Sequence, residues 1–292
     1  MNSRLTATLV LYNSRPEVFE PAIDSFLLGS DGTLVVVDNS PTPLSSRFFS
    51  HTRVRFVHTG RNVGFGAGHN IGFRLVQSES DFHLILNPDI TFGKNVIPHL
   101  LHVLRSSQSV GAVMPQIRYP DGALQRLCKL LPTPADLIVR RFLPLPAVTK
   151  RWNERYELAD LSQASCSQVP SMSGCFIILR AQLFAQIGGF DERFFMYLED
   201  VDLVRRVGDI AETLFDPSVF VEHAYGKGSY TNWRLLSYHM QSAFKYFNKW
   251  GWLWDPVRRR RNLAVLNSIL STKEVEQRHS QEPARSSRAM ID

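Results

Sequence analysis

The six residues Leu84-Ile85-Leu86-Asn87-Pro88-Asp89 constrain the fold of this chain more than any other stretch. The apolar run, preceded by Phe82, reads as a buried strand, and Pro88 stops it because proline offers no backbone donor to a neighbouring strand. Asn87 and Asp89 therefore stand at the carboxyl end of a central strand, the edge along which open α/β sheets bind ligands. Taken alone, the same residues also read as the start of a helix, with Asp89 or Thr91 as its cap.

The pattern is already present upstream. Residues 5–11 form a first strand, and Tyr12-Asn13-Ser14-Arg15-Pro16 turns it into a helix running to about Leu28, with Ser14 as the expected cap and Pro16 in the first turn. Thr33 to Val37 is a second apolar strand, and it too ends in an acid, Asp38-Asn39-Ser40. A short strand at 54–57 precedes Gly60-Arg61-Asn62-Val63-Gly64-Phe65-Gly66-Ala67-Gly68-His69-Asn70, a glycine-rich start to a helix reaching about Gln77. A helix N-terminus attracts phosphate and glycines admit a ligand closely, but the glycine spacing is not the dinucleotide fingerprint. A helix over 94–105 and a strand over 110–114 follow, and five strands with intervening helices give an α/β unit with a mostly parallel sheet.

The second half is less regular. Prolines 132, 134, 144 and 146 interrupt residues 115–169, where one helix is expected over 135–142; lacking a periodic core of its own, this insertion reads as a lid or an acceptor-facing loop. A strand at 174–179, a helix at 181–187 and the turn Gly188-Gly189-Phe190-Asp191 lead to Glu199-Asp200-Val201-Asp202, acids suited to the first turn of a helix. Short strands at 211–215 and 219–221, divided by Pro217, end at Glu222-His223. Residues 230–250 form an amphipathic helix, and Trp250, Trp252 and Trp254 run into Arg258 to Arg261. Two readings of that junction stand: a face lying on an anionic membrane, or tryptophans packed on the domain with the arginines in water. The expected units are a catalytic domain over 1–228, a helical aromatic and basic region over 229–270, and a disordered tail over 271–292.

Composition narrows the function classes. The chain is 44% apolar and 21% charged, as folded soluble proteins are. Cys128, Cys166 and Cys175 form no CxxC pair and no zinc-ligand spacing, so a reducing, cytoplasmic setting is expected. No window has the roughly 18 apolar residues of a membrane span, so an integral membrane protein is not expected. The net charge of +6 asks for an acidic partner, and because residues 1–100 hold 8 basic and 8 acidic side chains the excess lies in the second half. The basic residues do not form a stripe interleaved with stacking aromatics, so nucleic acid is not the expected partner.

Asp38, Asp89, the Glu199-Asp200 pair and His223 all fall at strand ends or helix starts. Carboxylates gathered near a phosphate-binding helix start suit a divalent cation held through oxygens, with another carboxylate left to deprotonate a hydroxyl. Leu86-Asn87-Pro88-Asp89, Ser173-Gly174-Cys175-Phe176, the block from Gly188 to Leu203 and His223 resemble the large inverting nucleotide-sugar glycosyltransferase family with the GT-A fold, a Rossmann-like sheet flanked by helices. Within it the chain is similar to bacterial rhamnosyltransferases that build O-antigens and related cell-surface polysaccharides.

That resemblance implies a set of roles. Asp38 grips the nucleotide above the turn at Tyr12-Asn13, and Asn62, Gly64, Asn70, Asn87 and Lys227 join it along the sugar nucleotide. Asp89 matches the final acid of the family's metal-binding Asp-x-Asp, whose first acid is here Asn87, and His223 matches a further ligand of Mg²⁺ or Mn²⁺. Asp200 matches the catalytic base, Asp191, Glu199 and Gly174 face the acceptor, and Asp202 is a candidate for the same surface or for a plain capping charge. Lys227 and Arg234 are candidates for the diphosphate. The implied reaction moves L-rhamnose from dTDP-L-rhamnose to a lipid-diphosphate-linked saccharide at the cytoplasmic membrane face. UDP-galactofuranose, UDP-GlcNAc or UDP-galactose are alternative donors, and a non-catalytic scaffold subunit is the alternative of another class.

Overall fold

Four strands, β1 (Leu5–Leu11), β2 (Thr33–Asp38), β3 (Val54–His58) and β4 (Phe82–Leu86), pair in parallel in the order β3-β2-β1-β4. In β1, β2 and β4 nearly all residues are buried, and side chains packed on both faces leave no alternation for the sequence to display, whereas β3 at the edge buries only Val54. This is a computed structural model, and it describes residues 4–139, 146–161, 163, 165–224 and 233–281. Helix α1 (Pro16–Gly29) buries Phe19, Ile23 and Phe26, and α2 (Phe65–Val76) packs on β1 and β2. Pro16 opens α1 as expected, but Arg15 holds the cap position without a side-chain bond and Ser14 plays no part in it.

Beyond β4 the sheet becomes mixed. Strand β9 (Phe176–Arg180) runs antiparallel to both β4 and β6 (Val110–Arg118), and β10 (Glu212–His223) then pairs in parallel with β6. The sheet is therefore continuously parallel only from β3 to β4, because β9, which arrives from the insertion and not from a crossover helix, runs against both its neighbours. The turn at Asn87-Pro88-Asp89 leads into β5 (Ile90–Phe92), antiparallel to β10, and not into a helix. The cap reading of Asp89 is thus overturned, since α3 begins only at Val96 and runs to Ser106. Nor does Pro217 divide β10, which absorbs residues 216–220 as a shift of register against β6.

The insertion has more structure than its prolines suggest. Ala135–Val139 forms a π-helical turn, residues 140–142 of the expected helix lie outside the described ones, and α4 (Pro146–Tyr156) follows. Pro146 starts that helix, where its missing N–H costs nothing, and does not break it. Short strands β7 (Leu124–Gln125) and β8 (Ser167–Gln168) pair with β6 and β10. Helices α5 (Ala181–Gln186), α6 (Glu199–Val207), α7 (Trp233–Trp250) and α8 (Pro256–Gln281) complete the chain. Residues 271–281, expected to be disordered, continue α8.

The aromatic and basic junction divides between its two readings. Trp250 donates to Asp202 at 2.8 Å and Trp252 packs on Phe244 and Phe247, whereas Leu253 and Trp254 stand 91% and 81% exposed. Arg258 is buried and Arg261 binds Asp209, while Arg259 and Arg260 face solvent.

Candidate active site

The turn after β4 and the start of α6 are joined through two adjacent residues. Gly174 N–H donates to Asp200 Oδ2 at 2.9 Å, and the Cys175 carbonyl accepts from Asn87 N–H at 2.9 Å. The dipeptide before β9 thereby joins the carboxylate of α6 to the turn after β4. A Cβ on Gly174 would meet Asp200 Cβ at 3.1 Å, so glycine is what lets the two segments approach. Asp200 Oδ1 accepts from Val201 N–H at 2.8 Å. Tyr197 and Leu198, just before the helix, both adopt left-handed backbone angles, with φ of 69° and 64°. Two non-glycine residues in that region store strain, which the fold tolerates where it aims a side chain.

Burial shapes the acids of α6. Desolvation pushes the Asp200 carboxyl up, and the Gly174 and Val201 amides and the Lys129 ammonium pull against it without cancelling it. Glu199 is 6% exposed, and desolvation with the neighbouring Asp200 charge pushes its carboxyl well above the usual range. The pair thus favours one charge, not two, with Asp200 the better supplied with donors. Asp202 is fully buried and bound by Arg206, Lys249 and Trp250, so it anchors α6 to α7 and does not face an acceptor.

The metal candidates meet at the end of β10. His223 Nε2 lies 3.3 Å from Asp89 Oδ1. Gln125, which sequence reasoning did not single out, grips His223 twice, donating to its carbonyl at 2.8 Å and placing Oε1 3.0 Å from Nδ1. The oxygen facing Nδ1 orients the ring and turns Nε2 toward the Asp89 carboxylate. Asn87 Oδ1 is buried with no hydrogen-bond partner among the described residues. One carboxylate, one imidazole and one amide oxygen fit Mg²⁺ or Mn²⁺ that takes its remaining ligands from phosphate oxygens. Among the described residues no group of three or more His, Cys, Asp or Glu forms a fuller cage.

Several other predicted residues hold the site's walls. Asp38 is fully buried and accepts from Ser40 N–H at 2.9 Å and Leu44 N–H at 2.7 Å, so it shapes the loop after β2. Asn13 N–H donates to Ser40 Oγ at 2.8 Å, and Tyr12 beside it is 48% exposed. Asn62 Oδ1 accepts from Gly64 N–H at 3.0 Å, while the first amide of α2, on Phe65, donates to Phe195 O at 3.1 Å. The glycine-rich turn is therefore packed against the 190–198 loop, and a Cβ at Gly64 would fall 2.5 Å from Phe195 O. Asn70 clamps the same loop: its amide donates to Phe190 O at 2.9 Å and accepts from Phe190 N–H at 2.8 Å. Asp191 is held by Lys249 and Arg193; burial alone would raise its carboxyl, but these partners bring it down to about 2. Lys227 lies outside the described residues, and Arg234 is exposed at the start of α7.

Comparison with known proteins bears on this arrangement. The family model described as "Glycosyl transferase family 2" matches residues 7–188. The N-acetylglucosaminyl-diphospho-decaprenol L-rhamnosyltransferase of Mycobacterium tuberculosis is 29% identical over 273 residues, covering 87% of this chain and 83% of its own. Rhamnosyltransferase WbbL of Escherichia coli is 25% identical over 223 residues, covering 73% and 81%. Among solved structures, GalNAc-T7 with UDP, GalNAc and Mn²⁺ superposes with a TM-score of 0.54 at 14% identity over 76% of this chain, which spans 44% of the GalNAc-T7 chain. The mannosyltransferase PcManGT of Pyrobaculum calidifontis, in complex with GDP-Man and Mn²⁺, gives 0.51 at 15% identity over 93% of this chain and 76% of its own. At those identities the structural likeness establishes the fold alone.

Proposed function

Because the chain belongs to glycosyl transferase family 2 and has the GT-A fold, we propose that this glycosyltransferase moves L-rhamnose from dTDP-L-rhamnose, with inversion, onto a polyprenyl-diphosphate-linked saccharide in cell-surface polysaccharide synthesis. The observation that carries the reading is the Gly174-Cys175 link, which fixes a part-buried, desolvated carboxylate opposite a turn suited to a diphosphate-bound cation. The sugar and the acceptor class follow the mycobacterial relative, an N-acetylglucosaminyl-diphospho-decaprenol L-rhamnosyltransferase, and the E. coli relative is also a rhamnosyltransferase.

Asp200 takes the proton of the acceptor hydroxyl, whose oxygen attacks the anomeric carbon from the face opposite the nucleoside diphosphate. One displacement needs one base, and Glu199 serves it by staying neutral. Asp89 and His223, with Asn87 beside them, would hold Mg²⁺ or Mn²⁺, which would supply positive charge to the departing diphosphate. Tyr12, Asn13 and the loop shaped by Asp38 border the nucleotide, with Asn62, Gly64 and Asn70 backing that wall. Asp191 acts on the acceptor side from the loop before α6, where the Lys249 ammonium of α7 holds it, and Lys227 and Arg234 contact the diphosphate.

No helix among the described residues is long and apolar enough to cross a membrane. Exposed Trp254, Arg259 and Arg260 support a peripheral seat on the anionic inner face of the bacterial cytoplasmic membrane. Transfer assays with purified lipid-linked acceptor test the whole reading. Wild type should transfer from dTDP-L-rhamnose in the presence of Mg²⁺ or Mn²⁺, and Asp200→Asn should lose about 10³-fold in kcat. Equal rates would remove Asp200 from the role of base, and preference for a UDP-sugar would replace the donor.

A further inference from the structure

The insertion and the C-terminal helices leave between them a groove of about 750 Å³, a volume within the range that holds small-molecule ligands. Leu130, Trp152 and Tyr156 form one wall, and Leu253, Trp254 and Leu263 the other. The walls are fixed to one another: Leu131 N–H donates to Asn262 Oδ1 at 2.9 Å, Asn262 Nδ2 donates to Leu131 O at 2.9 Å, and Arg258 donates to Pro132 O at 3.3 Å. The groove is thus braced open, and Leu253 and Trp254 stay exposed instead of folding into it.

Its charge is one-sided. Both carboxylates that line it are engaged, Asp136 by Thr133 and Trp152, and Asp255 by Arg205. Arg155, Arg259 and Arg260 are exposed along the rim. An apolar channel edged by guanidinium groups complements an amphiphile with a long hydrocarbon chain and phosphate at its head. The inner end of the groove also approaches the chemistry. Leu130 N–H donates to Tyr156 O at 2.9 Å, the neighbouring Lys129 ammonium sits 5.8 Å from the Tyr156 ring, and the same ammonium acts on the Asp200 carboxylate.

From this we infer that the groove binds the hydrocarbon chain of the polyprenyl-diphosphate acceptor, with its head directed past Lys129 toward Asp200. The inference rests on the acceptor class proposed above. It assigns the insertion and α8 a role in selecting acceptors by the length of the lipid.

The double variant Leu253→Glu/Leu263→Glu tests it, since both positions are exposed enough to accept glutamate and both tryptophan reporters remain. The first measurement is binding of sugar-free isoprenoid diphosphates of increasing length in detergent, followed by tryptophan fluorescence. Wild type should bind longer chains more tightly, by about ten-fold between a short and a long chain, and the double variant should lose that dependence. Chain-length-independent binding by wild type, or a dependence unchanged in the variant, overturns the assignment. So does a response to phosphatidylglycerol vesicles free of isoprenoid that equals the isoprenoid response and is lost with it in the variant, because the membrane seat at Trp254, Arg259 and Arg260 would then account for the groove by itself. The second measurement is the ratio of KM values for two acceptors that carry the same saccharide on a short and a long chain; it should fall toward one in the variant. Chain-length-dependent binding without sugar transfer to any such acceptor would keep the groove and refute the proposed reaction.

Discussion

With Asp200 as the proposed base, the pH dependence of transfer follows from its carboxyl. A base must be ionised in the free enzyme, and burial raises this carboxyl above the ordinary aspartate range, so kcat/KM should fall as pH drops through that raised value. Lys129 is one of the groups that hold it down, and Lys129→Met should therefore move the acid limb of the kcat/KM profile to higher pH. A limb that stays in place would show that another group is titrating. At the metal candidates, Gln125→Ala leaves His223 Nδ1 without the oxygen that orients it, and apparent Mn²⁺ affinity in the presence of nucleoside diphosphate should weaken about 10- to 100-fold. A thermal-shift titration with Mn²⁺ reads this, and unchanged affinity would detach His223 from the ion. Asp89, Asp200 and His223 were legible in the sequence because each interrupts an apolar strand or opens a helix. Gln125 was not, since it is an ordinary polar residue in a two-residue strand, 98 positions from the histidine it holds. Nor does any local pattern tell Asn70 the clamp from Asn70 the ligand; only the fold brings Phe190 to it.

At the scale of elements, the contact between α2 and β1 decides how the glycine-rich segment is read. A Cβ at Gly72 would lie 2.4 Å from Thr8 Cγ2 and 2.5 Å from Thr8 Oγ1. Thr8 is fixed in turn by His83 Nε2 at 3.1 Å, inside the buried group formed with Thr6 and Ser80, so it has no room to yield. Alanine favours a helix interior by about 1 kcal/mol over glycine, but overpacking of about 1–3 kcal/mol opposes it here. Gly72→Ala should consequently lower the thermal midpoint by several degrees; a neutral or raised midpoint would mean that the helix can lift from the sheet. The sequence marks the strands near 5–11, 33–38 and 82–86 because continuous burial makes continuous apolar runs. It does not mark strand direction, and β9 is as apolar as its parallel neighbours although it runs the other way. Helix α4 escaped notice for the opposite reason, its polar surface PAVTKRWNERY showing only Trp152 and Tyr156 to the interior.

For the whole molecule the question is whether α7 and α8 are an appendage or part of the body that carries the site. Ala243, Tyr246, Phe247, Val265 and Ile269 belong to the same buried cluster as the sheet. Arg205 of α6 and Asp255, the residue before α8, form a two-pronged ion pair at 2.6 and 2.8 Å with side chains only 3% and 2% exposed. Arg205 also lies 4.1 Å from the centroid of Trp250, so α6 and the C-terminal elbow close on one cation. Asp255→Ala would strand that guanidinium in a dry site, a loss of about 3–5 kcal/mol, or roughly 10 °C in midpoint for a chain of this size. If the helices and the sheet unfold as one cooperative unit, far-ultraviolet circular dichroism and tryptophan fluorescence should shift together in that variant, because Trp250 and Trp252 report the elbow while the dichroism reports the whole chain. A fluorescence transition that precedes the dichroism would separate the C-terminal region from the catalytic body. Coincident transitions would mean that the braced walls of the groove and the carboxylate of Asp200 move as one rigid piece.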